Sequence, residues 1–245
     1  MSKLTITWCY PDILNLHGDR GNLLAFEKVA KALGIEVEIK KVVDYEDEID
    51  FENTDILFFN PGEIKTLEYI IDALERQKKE LKKYIESNKY VIAIGTSGAI
   101  FSKRIVRIDK GELIGLGYLD MISKEKREVV GDDLICKVKD TDIKLNGSQI
   151  SIIDNKLNSN IEFADVIYGY GNNGYENEKE GARYKNLIYT NLLGPLFVKN
   201  PWYAEEIIRD VMKNKKEEIE KEIDESFYEL ERKSMEAIEV FNENK

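Results

Sequence analysis

The sequence predicts a doubly wound α/β fold, in which a mixed sheet is flanked by helices. Two short apolar runs, 55–59 and 90–94, have the length of strands that are buried on both faces of a parallel sheet. An amphipathic stretch with helical spacing, 66–87, lies between them, so strand, helix and strand alternate. With 245 residues, 42% of them hydrophobic, the chain is long enough for one compact domain and an appendage.

The first elements along the chain follow the same alternation. Residues 4–9 are rich in β-branched and aromatic side chains and are interrupted by Pro11, which predicts a strand that ends in a loop. Residues 22–33 repeat apolar side chains at helical spacing and stop at Gly34, a typical C-cap residue. Residues 35–43 alternate as a second strand.

Beyond Phe101 the pattern changes to short strands divided by charged turns. We expect these strands, 113–121, 134–138 and 149–153, to form an antiparallel extension of the sheet. Two further strands, 166–170 and 187–191, flank a segment rich in asparagine and glycine.

The last part of the chain, 202–245, contains neither glycine nor proline and repeats apolar residues at helical steps. This pattern predicts a long amphipathic helix, with 213–216 as the place where it would break. The chain therefore divides into a domain over 1–201 and a helical extension over 202–245. The extension either packs across its own domain or forms an arm that pairs with another chain.

Composition excludes some classes of partner. The formal net charge is -11, which repels a phosphate backbone or an anionic lipid surface, so we expect neither nucleic acid nor membrane as a partner. Two cysteines, Cys9 and Cys136, are too few for a disulfide framework and favour a reducing cytoplasm. The amino-terminal sequence lacks the pattern of a signal peptide.

Three clusters of residues carry a family resemblance. The first, 10–22, reads Tyr-Pro-Asp-Ile-Leu-Asn-Leu-His-Gly-Asp-Arg-Gly-Asn. The second is Gly-Tyr-Gly-Asn-Asn at 169–173, followed by Glu180-Gly181 and by Tyr-Lys-Asn at 184–186. The third is Leu-Leu-Gly-Pro-Leu at 192–196 with Lys-Asn-Pro at 199–201. Together they resemble the class I glutamine amidotransferase domains of the CobB/CobQ and GatD type, which implies the flavodoxin-like fold of that family.

The resemblance implies a glutaminase site with a cysteine on a strand-to-helix elbow, a late histidine and an oxyanion hole of backbone amides. This sequence departs from that pattern, because Gly95 stands at the cysteine position and Leu193 at the histidine position. Pro61 lies in the segment that replaces the family's glycine-rich turn, and proline has no amide proton to donate. We therefore expect ordinary glutamine hydrolysis to be lost.

A rearranged site is the alternative. Ser97 lies in a Gly-Thr-Ser-Gly-Ala elbow pattern and would need a base, for which His17 is the one histidine in the chain. A serine at a helix start is more often an N-cap. The Asp19-Arg20 pair could hold an anion or pin its own loop through an ion pair. The remaining candidates for a retained binding site are Asn60, Gly62, Thr96, Asn172 and Asn173.

Three functions remain open from the sequence. The first is a non-catalytic binding or regulatory subunit, and the second is an amidotransferase or serine hydrolase that uses Ser97. The third is a scaffold that self-associates through the C-terminal helix. The chain has no phosphate-binding loop, so an ATP-dependent Mur-ligase-like or other synthetase partner would be a separate chain. The pathway, cell wall peptidoglycan or cobalamin biosynthesis, stays open, and neither a cofactor nor a metal is expected.

Overall fold

A computed structural model describes residues 2–174 and 178–244, and these residues form twelve strands and six α-helices. The strands are β1 (Lys3–Cys9), β2 (Glu36–Val42), β3 (Ile56–Phe59), β4 (Tyr90–Ile94), β5 (Arg104–Arg107), β6 (Gly111–Ile114), β7 (Met121–Val138), β8 (Lys144–Leu157), β9 (Ala164–Tyr168), β10 (Lys179–Glu180), β11 (Ala182–Tyr184) and β12 (Leu187–Thr190). The helices are α1 (Arg20–Ala32), α2 (Leu67–Arg76), α3 (Lys78–Glu86), α4 (Leu196–Lys199), α5 (Pro201–Asn214) and α6 (Glu229–Glu243).

The first sheet has the strand order β11-β12-β4-β3-β1-β2. Its neighbours are parallel except for β11, which runs antiparallel to β12. Alternate residues of β3 point to opposite faces, so Ile56 and Phe58 join a core with α1, α4 and α5, whereas Leu57 and Phe59 join a core with α2 and α3. The predicted α/β fold with helices on both faces is confirmed.

Strands β5 to β10, which follow Phe101, form a second sheet. Its order is β10-β9-β7-β5-β6, and β8 pairs with β7 over residues 121–125 and 130–137 of that strand. Most pairs are antiparallel, and β5 runs parallel to β7. The antiparallel region was predicted from the sequence, but two of its strands, β7 with 18 residues and β8 with 14, are much longer than the predicted runs.

The amphipathic stretch predicted as one helix over 66–87 is two helices, α2 and α3, which meet at Gln77. The side-chain oxygen of Gln77 accepts a hydrogen bond of 2.8 Å from the backbone N–H of Ile49. The break between α2 and α3 therefore coincides with a tertiary contact of Gln77, and no proline or glycine marks it in the sequence.

The C-terminal extension is broken within 213–216, the place indicated by the sequence, since α5 ends at Asn214 and α6 begins only at Glu229. Lys216 adopts a φ of 59°, which ends the helical path. The following helix lies on its own domain, because Tyr228 and Met235 are buried in the core that includes α1 and α5. The guanidinium of Arg232 stacks 3.8 Å above the centre of the Trp202 ring.

This packing corresponds to the first of the two arrangements considered for the extension, in which it packs across its own domain. A homo-oligomer formed through α6 would have to use its outer side, where Leu230 and Val240 are exposed. No helix within the described ranges combines the length and the apolar character that a membrane crossing needs.

Candidate functional site

Three loops meet at the carboxyl edge of the first sheet, where β3, β4 and β12 end side by side. Gly95 follows β4 directly and has a φ of +60°. A Cβ atom built on Gly95 would lie 3.0 Å from Cβ of Pro61, which follows β3, and 3.5 Å from Cδ2 of Leu193, which follows β12. The structure therefore brings together the three positions at which the sequence departs from the family pattern.

The side chains nearest to a Cβ built on Gly95, those of Pro61 and Leu193, are aliphatic. Leu193 is buried, and its backbone is fixed by a pair of hydrogen bonds with Ser148, one from Leu193 N to Ser148 O at 2.8 Å and one from Ser148 N to Leu193 O at 3.1 Å. A side chain at Gly95 would require Pro61 to give way slightly, whereas its distance to Leu193 is an ordinary van der Waals contact. Gly95 is partly exposed, and these three residues place no titratable atom where a nucleophile and a base would meet.

The turn after β3 is held by the side chain of Thr96. The Thr96 hydroxyl donates to the backbone oxygen of Gly62 at 2.6 Å and accepts from the backbone N–H of Gly62 at 2.9 Å. A side chain at Gly62 would collide with Leu14, so this position requires glycine because the two loops approach closely. The Gly62 amide, a candidate oxyanion donor, is therefore already hydrogen-bonded within the protein.

Ser97 lies inside the protein rather than at the surface of the elbow. It is fully buried, and its hydroxyl lies 2.9 Å from the backbone oxygen of Ile94 and 3.0 Å from that of Phe59. This contact ties the ends of β3 and β4 together and differs from the N-cap role considered for it. Within the described ranges, no hydrogen bond connects Ser97 with His17, which lies in the loop before α1.

The side chains of Asp19 and Arg20 do not pair with each other. Asp19 is buried, and its Oδ2 atom accepts a hydrogen bond of 3.2 Å from the backbone N–H of His17, while burial raises the pKa of its carboxyl group. Arg20 is exposed and forms no ion pair with any residue that the structure describes. It lines a cleft of about 380 Å³ together with Trp8 and Lys41. The structure therefore does not contain the ion pair that was considered for Asp19 and Arg20.

Asn60 belongs to a buried chain of hydrogen bonds between loops. Its Oδ1 atom accepts from Nδ2 of Asn22 at 3.5 Å, and Oδ1 of Asn22 accepts from the backbone N–H of Phe197 at 2.9 Å. These contacts connect the loop after β3, the start of α1 and helix α4. Asn22 was not among the candidates from the sequence, although it is the last residue of the first motif cluster.

The asparagine-rich segment contributes one buried and one exposed side chain. Asn172 is buried, and its Nδ2 atom donates to the backbone oxygen of Gly181 at 2.8 Å, whereas Asn173 is exposed. Nearby, the buried Glu180 carboxylate accepts hydrogen bonds from the Thr190 hydroxyl at 2.7 Å and from Asn191 N and Nδ2 at 2.6 and 2.9 Å. Burial raises the pKa of Glu180. Asn172 and Glu180 thus hold the two sheets together, whereas Asn173 is available at the surface.

Two further possibilities from the sequence concern the cysteines and a metal site. Cys9 and Cys136 are both buried free thiols, and burial raises the pKa of each. In residues 2–174 and 178–244, no three His, Cys, Asp or Glu side chains are arranged to hold a metal ion.

Comparison with known proteins finds relatives among subunits named as glutamine-hydrolyzing synthases. The chain is 32% identical over 203 residues to the lipid II isoglutaminyl synthase (glutamine-hydrolyzing) subunit GatD of Staphylococcus aureus, covering 82% of this chain and 81% of that protein. It is 28% identical over 216 residues to the subunit of the same name from Streptococcus pneumoniae, covering 87% of this chain and 82% of that protein. No family model matches the chain. The glutaminase domain of Trypanosoma brucei CTPS has a similar fold, with a TM-score of 0.51, 11% identity and coverage of 89% of this chain and 96% of that domain.

Proposed function

The chain belongs to the GatD family of glutamine amidotransferase-like proteins, and we propose that it is a non-catalytic binding or regulatory subunit that does not hydrolyse glutamine. The observation that carries this proposal is the aliphatic contact of Gly95 with Pro61 and Leu193. Loss of activity is supported separately for the nucleophile, for the base and for the oxyanion hole.

Hydrolysis of an amide by this family's route needs a nucleophile that a base activates. Gly95 has no side chain, and Leu193 cannot accept a proton. The third requirement is a set of donors for the negative charge that develops on the attacked oxygen. The Gly62 amide already donates to Thr96, and Pro61 has no amide proton.

Ser97 is not part of the proposed function. Its hydroxyl lies within hydrogen-bond distance of the backbone oxygens of Ile94 and Phe59, either of which can accept its one hydrogen, and the side chain would have to turn out of the core to attack a substrate. A serine nucleophile also needs a base within hydrogen-bond reach, and His17 makes no such contact with it among the described residues.

We propose further that the subunit acts beside an ATP-dependent, Mur-ligase-like or other synthetase partner on a separate chain in the cytoplasm. Both curated relatives are named as subunits of a synthase that acts on lipid II, which favours a cell wall setting over cobalamin biosynthesis. What this chain retains for such a role is the arrangement of its loops, which the Asn60, Asn22 and Phe197 contacts maintain without any contribution from the nucleophile position.

A glutaminase assay tests the catalytic part of the proposal. Glutamate release from glutamine by the purified protein should equal the buffer blank, and Ser97→Ala should change nothing. Ser102→Ala is the matched control, because Ser102 is also buried near the same turn and donates to the backbone oxygen of Ala99. Glutamate release by the wild type that Ser97→Ala abolishes and Ser102→Ala retains would overturn the proposal.

Co-purification tests the partner. The tagged protein, expressed at its native level, should return an ATP-dependent ligase-like chain in a stoichiometric complex. Recovery of this protein alone, at salt concentrations low enough to keep polar interfaces intact, would contradict a heteromeric role.

A further inference from the structure

A second cleft lies apart from the Gly95 loops, between the start of α2 and the β5–β6 hairpin. Its volume is about 520 Å³, and the side chains that matter for its chemistry are Lys65, Tyr69, Arg107, Lys110 and Leu113. It has no counterpart among the binding residues expected from the sequence.

Arg107 is the unusual residue of this cleft. Its side chain is only 9% exposed, and its buried Nε atom has no hydrogen-bond partner. The carboxylate oxygen nearest to Nε, Oε2 of Glu125, is 3.8 Å away and accepts a hydrogen bond of 2.9 Å from the backbone N–H of Ile108 instead. Glu125 therefore forms an ion pair with Arg107, but among the described residues no acceptor lies within hydrogen-bond distance of the buried Nε atom, although a buried donor normally has one.

The surroundings of Arg107 favour negative charge. The cleft opens at the N-terminus of α2, a helix of ten residues, where the helix dipole is positive. Lys110 is exposed and forms no ion pair with any described residue, while the acidic Glu112 is engaged by Arg104 at 3.2 Å. Glu68 forms no ion pair with any described residue, and the charge of Arg107 is shared with Glu125, so the positive charge left to the cleft comes from Lys110 and the helix end.

We propose that this cleft binds the oxyanion group of a small molecule, either a carboxylate or a phosphate, through the guanidinium of Arg107. The planar fork of donors fits two oxygens at once, which is the geometry that carboxylate and phosphate share. Lys110 adds charge at the mouth, and Tyr69 with Leu113 provides an apolar wall for the body of the molecule. The inference is independent of whether the Gly95 centre hydrolyses glutamine.

Titration calorimetry tests the site with two probes, inorganic phosphate and succinate, each measured against sodium chloride at equal ionic strength. The wild type should bind at least one probe saturably, and Arg107→Gln should weaken that binding at least tenfold. Lys103→Gln is the matched control for loss of charge, because Lys103 pairs with Asp120 at 2.6 Å, is 55% exposed and does not line the cleft. It should bind as the wild type does.

The relative affinity for the two probes identifies the source of the oxyanion, and a preference for either one supports the site. Arg107→Lys guards against misfolding of the glutamine variant, since it keeps the charge and loses the fork. It should keep the thermal midpoint of the wild type and bind at least threefold more weakly. Equal heats for both probes and chloride in the wild type, or undiminished binding by a folded Arg107→Lys and Arg107→Gln, would show that the guanidinium of Arg107 does not bind an oxyanion and would overturn the inference.

Discussion

Replacement of Gly95 by alanine measures how tightly the centre is closed. Gly95 has a φ of +60°, and an L-residue with a side chain is destabilised by about 1–2 kcal/mol in this left-handed conformation. The new Cβ would also lie 3.0 Å from Pro61, and such overpacking of a well-packed site costs about 1–3 kcal/mol more. We therefore expect Gly95→Ala to lower the free energy of unfolding by about 2–5 kcal/mol in urea titrations followed by tryptophan fluorescence.

Gly18→Ala separates the two contributions. Gly18 has a φ of +69°, but a Cβ built there has no heavy atom within 4 Å, so this variant carries the backbone strain without the contact. Pro61→Gly removes the atom that the new Cβ approaches. In a double-mutant cycle, Gly95→Ala and Pro61→Gly should couple favourably by about 1–2 kcal/mol. If Gly95→Ala costs no more than Gly18→Ala and the cycle shows no coupling, the centre is open and the steric part of the reasoning is refuted.

Two further predictions concern the parts of the fold around this centre. Because burial raises the pKa of Glu180 above its ordinary value of 4.5, its contribution to stability is present below that value and is lost as pH rises through the folded-state pKa. The free energy of unfolding of the wild type minus that of Glu180→Gln should therefore fall between pH 4 and pH 8, and a difference that does not vary with pH would contradict this. In α6, Met235→Ala should cost about 2–4 kcal/mol because Met235 is 5% exposed in the core, whereas Leu230→Ala, at a position 76% exposed, should stay within about 0.5 kcal/mol. Equal effects of these two substitutions in urea unfolding would mean that α6 does not pack on the domain in solution.

The strands of the first sheet were predictable because their signal is local. The apolar run 90–94 became β4 over the same residues, and the helix before Gly34 was placed to within two residues at its start and one at its end. The division of 66–87 at Gln77 was not predictable, since periodicity continues through it and the partner of Gln77 is Ile49, 28 residues away. Similarly, nothing in the spacing of 202–245 reveals that Lys215 donates to the backbone oxygen of Lys3 at the other end of the chain.

The candidate site, like the fold, was predictable only in part. That Gly95, Pro61 and Leu193 meet could be predicted, because a motif resemblance placed each of them after a strand of a parallel sheet, and such strands end at one edge. The pairing of Thr96 with Gly62 could not, since it depends on how the turn after β4 is rotated. Arg107 was missed for another reason. Its sequence context, Arg-Ile-Asp-Lys over 107–110, is that of an ordinary surface cation, and only the fold places it beside a cleft.

The Gly95 position and the contacts of Asn60, Asn22 and Phe197 belong to the same group of loops but use different atoms, which bears on what would restore activity under the proposed loss of hydrolysis. Because a Cβ at Gly95 already meets Pro61, a cysteine introduced there alone would be crowded before it found a base. Leu193→His alone would introduce an imidazole with no thiol to activate. Restoring the chemistry therefore requires changes at Gly95, Leu193 and Pro61 together. The hydrogen bonds that connect Asn60, Asn22 and Phe197 involve none of these three residues. This is the arrangement expected of the proposed binding subunit, because its loops are held by contacts that do not involve the Gly95 position.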